Sequence, residues 1–329
     1  MTVVVTGASG HLGNNLVRAL LADDRRVRCL VHEDERAIEG LDVEQVRGDV
    51  LDPNSLLKAF STAETVFHLA GRVSIVKGDS ELVRDVNVKG TRNVVDACLK
   101  SGIKRLIHFS SIHVLRQDPS DEPLTERSPL AEGGDSFPYE RSKVLGEKEI
   151  MTALDRGLDV IVLNPTAIVG PYDFKPSPVG EVLLRLYRGQ LPALVEGGYN
   201  WVDARDVALG AIAAENMGKP GDRYILSNEW LSLNDLAKTW GEICRVKIPS
   251  FVCPLWLARI AVPFATLYAQ LTDTRPLFTN SAITVVGTGN RQISHAKATS
   301  ELGYRPRPIR RTLEDTWRWL QETGRLRRE

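Results

Sequence analysis

Short apolar runs rich in β-branched residues alternate with stretches of helical periodicity through the first half of the chain. The apolar runs predict strands over Val3–Thr6, Val27–Val31, Val43–Val46, Thr65–Leu69, Leu106–Ser110 and Val160–Leu163. Helical patterns fill most of the intervals between them. Because such alternation requires crossover connections, it predicts an α/β fold with a doubly wound parallel sheet covered by helices on both faces.

The pattern changes after Pro165. The stretch "GPYDFKPSPVG" indicates a loop, and the remainder mixes helical patterns with brief strands predicted at Tyr224–Leu226 and Val285–Val286. We therefore divide the chain into residues 1–165, which carry the main sheet, and residues 166–329, a smaller mixed α/β lobe. Some elements of that lobe, at about residues 200–228, are expected to pack back on the main sheet.

Charge and cysteine usage narrow the class of partner. The 329 residues include 42 basic and 42 acidic side chains, so the balance indicates neither nucleic acid nor an anionic membrane as partner, and favours a small molecule. The four cysteines form no CxxC pair, and no signal segment precedes the first strand. We expect a cytoplasmic protein without a metal site.

One apolar segment, Phe251–Leu271, is about as long as a membrane span. Arg259 lies in its middle, and Pro254 and Pro263 interrupt it. These residues favour a pair of amphipathic helices lining an apolar pocket over a membrane span. Contact with a membrane surface is the alternative.

Three glycines follow the first predicted strand in "VVVTGASGHLG". Glycines permit a tight turn, and the start of the following helix offers free N–H groups and a positive dipole end, which suit a pyrophosphate. The predicted contacts are Gly7, Ser9, Gly10, His11, Leu12 and Gly13. A tight turn with close helix packing would explain the glycines alone. Their place at the head of alternating units favours a Rossmann-type dinucleotide-binding domain over residues 1–165.

A second cofactor feature is "GDVLD" at the end of the third strand. Asp49 is predicted to accept a hydrogen bond from an adenine amino group, and the Val50 backbone to support the ring. The same stretch also suits a helix cap, since Pro53 stands at a first-turn position.

Tyr139 and Lys143 stand four residues apart on a predicted helix and therefore share one face. An ammonium beside a phenol should lower the pKa of the phenol, which makes Tyr139 a usable proton donor. Ser110 and Ser111 end a buried strand, where ligands bind in open parallel sheets. A serine pair can equally begin a turn, and a Tyr-to-Lys pair at this spacing also arises by chance.

These features together resemble the extended short-chain dehydrogenase/reductase superfamily of the NAD-dependent epimerase/dehydratase type. The similar stretches are "TGASGHLG", "GDVLD", "FHLAG", "NVKGT", "FSSIHVL", "YERSK" and "NPTAIVGP" over residues 1–171, with "WVDARDVA" and "KATSELGYRPRPIRRTLEDTWRWL" beyond them. The resemblance implies a catalytic tetrad of Asn87, Ser111, Tyr139 and Lys143.

In that tetrad Tyr139 would exchange a proton with the substrate oxygen, Ser111 would hold that oxygen, and Lys143 would bind the nicotinamide ribose. Asn87 would support a water or the local helix geometry, and a purely structural role is its alternative. The resemblance implies further cofactor contacts at Leu69, Ala70, Gly71, Ser110, Pro165, Thr166, Ala167 and Ile168.

The stretch "NPTAIVGPYD" distinguishes branches of the superfamily. Sugar-nucleotide members commonly carry arginine and asparagine where this chain has Asn164 and Ala167. The stretch is instead similar to the dihydroflavonol 4-reductase-like branch, which reduces ketones and aldehydes with NADPH. We therefore expect a carbonyl reductase or alcohol dehydrogenase acting on a hydrophobic compound. A nucleotide-sugar epimerase or dehydratase is the alternative, and a non-catalytic dinucleotide sensor a second one.

Ile112, His113 and Tyr172 are predicted to contact the substrate, although a backbone hydrogen bond would also explain His113. Val31 stands where NAD-selective relatives carry a carboxylate, which favours NADP(H) and leaves NAD(H) open. His32 and Arg36 would meet the 2′-phosphate, while the acidic residues between them oppose it. Solvated loop charges are the alternative. By analogy with relatives, the stretch "VRDVNVKGTRNVVDACLKSG" and the Tyr139 helix would form a homodimer interface, or else internal core.

Overall fold

The structure is a computed structural model. It describes residues 1–72, 80–117, 122–131, 138–271, 283–284, 286–287 and 289–326, with the backbone alone at residues 80, 138 and 264–271.

The described ranges include twelve strands and eleven α-helices. The strands are β1 Thr2–Thr6, β2 Arg26–Val31, β3 Glu44–Arg47, β4 Thr65–His68, β5 Arg105–Phe109, β6 Asp159–Pro165, β7 Ala167–Val169, β8 Leu194–Val195, β9 Gly198–Asp203, β10 Arg223–Leu226, β11 Glu229–Ser232 and β12 Val252–Cys253. The helices are α1 His11–Ala22, α2 Pro53–Phe60, α3 Ser80–Arg84, α4 Thr91–Lys100, α5 Pro138–Asp155, α6 Pro178–Arg188, α7 Ala204–Met217, α8 Leu233–Cys244, α9 Leu255–Leu271, α10 Ala296–Leu302 and α11 Ile309–Glu322. A π-helical stretch, Asp85–Gly90, precedes α4, and a 3₁₀ turn, Ile112–Val114, follows β5.

Seven parallel strands form the central sheet in the order β10-β6-β5-β4-β1-β2-β3. Helices α1 and α7 cover one face with an apolar core, and α2, α4 and α5 cover the other. The predicted doubly wound, Rossmann-type α/β class is confirmed. Each strand predicted in the first half is present, with ends within two residues of the prediction.

The second half of the chain contributes to the central sheet and its helices and also forms two smaller sheets. Strand β10 joins the central sheet beside β6, and α7 packs against α1. The remainder forms a three-stranded sheet, β11-β9-β7, and a two-stranded sheet, β12-β8. The strand predicted at Val285–Val286 is wrong where it can be examined, because Val286 is helical; Val285 lies outside the described residues.

An ion-pair network connects α7 to the C-terminal segment. Asp203, fully buried, bonds Arg205, whose guanidinium also pairs with Asp315 at 2.9 Å. Asp206 accepts the backbone N–H and the guanidinium of Arg307 at 2.7 and 2.8 Å. Burial alone would raise the pKa of Asp203, but the Arg205 and Arg307 charges outweigh it and lower that pKa. This network of ion pairs thus holds the stretches around residues 201–208 and 297–320 together.

The apolar segment 251–271 differs from its prediction. It contains the short strand β12 and the single helix α9, not a pair of helices, because Pro254 lies before the helix and Pro263 is accommodated within it. Ala258 and Val262 are buried against Val195 and Ile283. Within the described ranges no helix is both long enough and apolar enough to cross a bilayer.

Candidate functional site

The glycine turn lies at the carboxyl ends of β1 and β4, where the sheet order changes direction. Gly7 adopts a left-handed φ of +70°, and a Cβ there would lie 2.7 Å from the Ala70 nitrogen. A Cβ at Gly13 would lie 2.0 Å from the Gly7 oxygen. These two glycines lack side chains because the protein's own backbone touches them, so the alternative of a tight turn with close helix packing accounts for both.

Gly10 is different. Its Cβ would meet only the Gly7 oxygen, at 3.3 Å, so the space beyond it is open. Gly10 is the N-cap of α1, and neither a capping side chain nor an acidic residue occupies the first turn. The free N–H groups and the dipole of α1 are therefore available to bind an anion at Gly10. Ser9 is half-buried beside it, and Leu12 packs on the core.

The first turn of α1 is tied to the loop after β7. His11 Nε2 lies 3.1 Å from the Pro171 carbonyl, and Asn14 Nδ2 donates to the Tyr172 carbonyl at 3.0 Å. These bonds hold the start of α1 rigidly against the second half of the chain. Tyr172 carries Arg18 over its ring at 4.4 Å and lies 6.0 Å from Trp319.

The region predicted for adenosine lies at the ends of β2 and β3. Val31 is buried, and exposed His32 has its Nε2 3.3 Å from an Asp49 carboxylate oxygen. The other Asp49 oxygen accepts the Leu51 N–H at 2.9 Å, and the Val50 carbonyl accepts from Asn93.

One helix cap and one ion pair bear on the residues predicted to contact adenosine. The cap of α2 is Asp52, whose carboxylate accepts the Asn54 N–H, so Asp49 is free of that role. Exposed Arg36 makes a two-point pair with Asp34 at 2.9 and 2.6 Å. Its guanidinium therefore already has an anionic partner.

Ser111 and Tyr139 meet at the end of β5. The Ser111 hydroxyl is hydrogen-bonded to the Tyr139 phenol and also accepts the His113 N–H at 3.3 Å. Asn164, fully buried on β6, donates to the Ser111 carbonyl at 2.9 Å and so fixes the serine turn. Burial raises the pKa of Tyr139 above 10; the Ser111 bond opposes this shift and Glu140 adds to it.

Lys143 lies one turn further along α5, almost fully buried, and its Nζ donates to the Phe109 carbonyl at 3.1 Å. Loss of solvation lowers the pKa of Lys143 to about 8. The expectation that Lys143 depresses the pKa of Tyr139 is therefore wrong in the protein alone. A Cβ at Gly71 would lie 3.4 Å from the lysine Nζ, an ordinary van der Waals contact, so Gly71 lies directly beside the ammonium.

Asn87 lies in the π-helical stretch. Its side chain accepts the Arg72 N–H at 2.8 Å and donates to the Arg72 carbonyl and to the Ser142 hydroxyl, each at 2.9 Å. The Ser142 hydroxyl in turn donates to the Tyr139 carbonyl. A Cβ at Gly146 would lie 2.4 Å from the backbone carbonyl oxygen of Asn87, so this glycine allows α5 to pack closely against the π-helical stretch. Asn87 thus connects the turn after β4 to the Tyr139 helix.

The ends of the strands fit a dinucleotide. The buried Ser110 hydroxyl has no hydrogen-bond partner among the described residues, and the space at Gly10 is open. Leu69 and Ala70 lie against the Gly7 turn, and Gly71 lies beside Asn87 and Lys143. Pro165 ends β6, and Ile168 packs on the core. The unpartnered Ser110 hydroxyl and the free N–H groups at the start of α1 are hydrogen-bond donors of the kind that a nicotinamide ribose and a pyrophosphate require. Gly10 leaves the space beside those N–H groups open.

An open cleft adjoins Ser111; it encloses about 490 Å³ of space, including solvent at its mouth. Its described lining combines apolar or aromatic side chains with amides and hydroxyls: Ser111, Ile112, His113, Gln117, Thr166, Ala167, Gly198, Tyr199, Asn200, Trp230, Gly289, Asn290 and Ile293. None of these lining residues is lysine, arginine, aspartate or glutamate. Burial lowers the pKa of His113 to about 4, so its imidazole is neutral at pH 7.

A family model described as "NAD dependent epimerase/dehydratase family" matches residues 3–226. The chain belongs to this family. It is 36% identical to "Sterol demethylase protein B" of Methylococcus capsulatus, over 99% of this chain and 100% of the relative. It is 33% identical to "Putative dihydroflavonol 4-reductase" of Synechocystis sp., over 97% and 94%. The crystal structure of gox2253 matches with a TM-score of 0.86 at 32% identity, covering 99% of each chain.

In this member of the NAD dependent epimerase/dehydratase family, the structure brings most predicted site residues to one edge of the sheet. Ile112 and His113 line the cavity, whereas Tyr172 does not and packs with Arg18 and Trp319 instead. Sequence reasoning missed Asn200, Trp230 and Asn290 in the cavity wall. Asn200 could have been identified from the sequence, because it directly precedes the "WVDARDVA" stretch. Trp230 and Asn290 belong to no recognisable motif.

Proposed function

We propose that the protein is an NAD(P)H-dependent carbonyl reductase or alcohol dehydrogenase for a hydrophobic small molecule. The observation that carries this proposal is the hydrogen-bonded Ser111–Tyr139 pair at the edge of a cavity whose described lining carries no charged side chain. Residues 1–165 would hold the cofactor, and most of 166–329 the substrate. An enzyme of the extended short-chain dehydrogenase/reductase type is what the family membership itself supports.

The chain's own residues would divide the chemistry as follows. The bound dinucleotide supplies the hydride. Tyr139, whose pKa is raised by burial, remains protonated at neutral pH and gives its proton to the substrate oxygen. Ser111 donates a hydrogen bond to that oxygen, and the Lys143 ammonium stabilises the developing negative charge. Asn87 positions the Tyr139 helix through Ser142.

The substrate class follows from the cavity lining. A nucleotide diphosphate would require cationic partners, and the described lining offers none, whereas Ile112, Tyr199, Trp230 and Ile293 suit an apolar body. The amides of Asn200 and Asn290 would orient one polar group. Relatives named for a sterol and for a dihydroflavonol support a ring-containing hydrophobic ketone or alcohol as substrate.

Two other functions have measurable signatures. Tightly bound NAD in the purified protein and binding of UDP-sugars would favour an epimerase or dehydratase. Binding of dinucleotide without turnover of any carbonyl or alcohol would favour a sensor.

NADP(H) is the proposed cofactor, because Val31 offers no carboxylate to repel a 2′-phosphate. Arg36 would exchange its Asp34 partner for that phosphate. Asp34→Asn should therefore lower the KM for NADPH about fivefold, and Arg36→Ala should raise it by a similar factor. Initial rates with NADPH and NADH check this: unchanged NADPH values in both variants would contradict the assignment, and NADH serves as the internal control.

The decisive test of catalysis is Tyr139→Phe. Removing the proton donor should lower kcat for ketone reduction by about 1,000-fold while leaving the cofactor Kd unchanged. Initial rates over a panel of hydrophobic ketones, aldehydes and steroids, with fluorescence titration of NADPH, measure both quantities. Wild-type activity in this variant would end the proposal.

All four cysteines, Cys29, Cys98, Cys244 and Cys253, are free thiols. This supports the cytoplasm as the proposed compartment, because disulfides are rare where thiols are kept reduced.

A further inference from the structure

The outer face of α9 carries a stripe of exposed apolar side chains. Trp256, Ile260 and Pro263 recur at intervals of four and three residues, so they share one helix face. Trp256 is 65% exposed and Ile260 58%. Phe251, just before β12, is 54% exposed. Large apolar side chains clustered in this way mark an interaction surface more often than scattered ones do.

The stripe is additional to the face by which α9 is attached to the protein. Ala258 and Val262 are buried against Val195 and Ile283 on the inner side of the helix. Because that side already anchors α9, Trp256 and Ile260 have no place in the core. The helix therefore presents a second apolar face to its surroundings.

The charged residues within the chain segment that contains the stripe have one sign, and exposed Glu196, which follows the paired strand β8, is the acidic residue beside them. Between residues 243 and 272 the chain carries three basic residues, Arg245, Lys247 and Arg259, and no aspartate or glutamate. All three are exposed. The whole chain has a formal net charge of zero, so this segment is a local cationic region. An anionic surface complements it, whereas a second copy of the same face would bring like charges together.

Two contacts connect helix α9 to residues near the proposed substrate cavity. A Cβ at Gly287 would lie 2.4 Å from Leu255 of α9, and a Cβ at Gly197 would lie 2.4 Å from the Val286 oxygen. The neighbouring residues Gly198 and Gly289 line the cavity. Helix α9 therefore contacts a segment that lies close in sequence to the described cavity lining.

We propose that this docking face, made of Phe251, Trp256, Ile260 and Pro263 with Arg245, Lys247 and Arg259, binds the surface of a bilayer containing anionic lipids. The apolar side chains enter the headgroup boundary and the cations pair with lipid phosphates. The protein lies on the membrane and does not cross it, since the inner face of α9 is packed on protein. This inference rests on the proposed function in one respect: a hydrophobic substrate would reach the cavity from the lipid phase.

The test is sedimentation of the full-length protein with vesicles of phosphatidylcholine alone and of an equal mixture of phosphatidylcholine and phosphatidylglycerol. The wild type should bind the mixed vesicles more tightly, and high salt should reduce that difference. Trp256→Gln with Ile260→Gln should lower the partition coefficient about 100-fold, and Arg259→Gln about fivefold. The control is Leu209→Gln with Met217→Gln, which changes exposed apolar residues on α7 and should leave partitioning unchanged.

Two results would overturn the docking proposal: no binding of the wild type to either vesicle, or equal binding by the Trp256→Gln, Ile260→Gln variant. A dimer in sedimentation velocity that this variant abolishes would assign the face to a second copy instead. Turnover of a water-soluble ketone without vesicles separates this proposal from the enzymatic one. That turnover should be the same in the wild type and the docking variant, so its absence in both would count against the proposed function alone.

Discussion

Lys143 shows how a single residue is placed at a cost to stability. Its amino group is almost fully buried and finds one carbonyl partner, Phe109. Burial lowers its pKa from 10.5 to about 8, so at neutral pH the folded protein holds a charge that water would solvate better. A position chosen for packing would carry an apolar side chain.

Lys143→Met should therefore raise the free energy of unfolding at pH 7 by about 2 kcal/mol while removing reductase activity. The folded pKa lies below the unfolded one, so the penalty is fully present below about pH 8 and disappears as pH rises to 10.5. Urea unfolding at pH 7 and pH 10 measures the gain, which should shrink at the higher pH. Lys58→Met, at an exposed position of α2, is the control and should change neither quantity.

The spacing of Tyr139 and Lys143 was readable from the sequence, but their ionisation was not. Helical periodicity places two side chains on one face; it does not report how much solvent each retains. Because desolvation dominates at both groups, the pKa of Tyr139 moves upward instead of downward. Similarly, the identity of Asn87 was readable, while its bonds to Arg72 and Ser142 depend on a turn and a helix distant in sequence.

At the level of elements, the glycine turn combines three glycines with separable roles. Gly7 and Gly13 make room for backbone, at Ala70 and at Gly7 itself, whereas the space at Gly10 is open. Folding and cofactor binding therefore depend on different members of one motif.

Gly13→Ala should destabilise the protein by about 3 kcal/mol, because its Cβ would overlap a backbone oxygen that cannot move aside. Gly10→Ala should fold with a Tm close to wild type and bind NADPH at least tenfold more weakly, since its Cβ enters the proposed phosphate site. Thermal unfolding and NADPH titration of both variants test the separation. Equal loss of stability in the two would show that the glycines act as one packing unit.

The regular strands could be predicted and the short ones could not. Strands β1, β2 and β4 to β6 carry four or more consecutive residues of apolar pattern, which suffices to find them. Strands β8 and β12 have two residues each, too few for any periodicity. Short elements such as β11, which carries Trp230, form part of the cavity wall, so the proposed catalytic residues could be predicted from the sequence while the proposed substrate side could not.

At the scale of the whole molecule, the central sheet contains two adjacent buried histidines. His68 is bonded through both ring nitrogens, to the Thr6 hydroxyl at 2.8 Å and the Thr91 hydroxyl at 3.2 Å. His108 lies beside it with ring centroids 5.3 Å apart, and neither of its nitrogens has a partner among the described residues. Burial lowers the pKa of His68 to about 3 and that of His108 well below 6.5.

The protein should consequently lose stability on acidification earlier than its carboxylates alone would dictate. Below pH 6.5 the unfolded chain binds protons at these histidines and the folded chain does not, so the free energy of unfolding falls as pH decreases, by about 1.4 kcal/mol per pH unit for each histidine. His108→Leu should reduce this slope and change stability at pH 7 by less than about 1 kcal/mol, because it leaves no partner unpaired. Denaturant unfolding between pH 7 and pH 5 measures the slope.

His68→Leu is the matched comparison. It should reduce the slope equally but cost about 2 kcal/mol at pH 7, since the buried Thr6 and Thr91 hydroxyls each lose one of their two hydrogen bonds. Identical stabilities of the two variants at pH 7 would contradict this distinction.

Thr166 stands alone between β6 and β7, so one residue joins the central sheet to the small sheet beside the cavity. Its hydroxyl bonds the Asn200 side chain at 3.1 Å, and its N–H bonds the Leu226 carbonyl. Such a seam leaves no slack for the floor of the cavity to move. Substitutions at Trp230 and at residues 289–293 can then change the proposed substrate specificity while the residues proposed for proton transfer keep their positions.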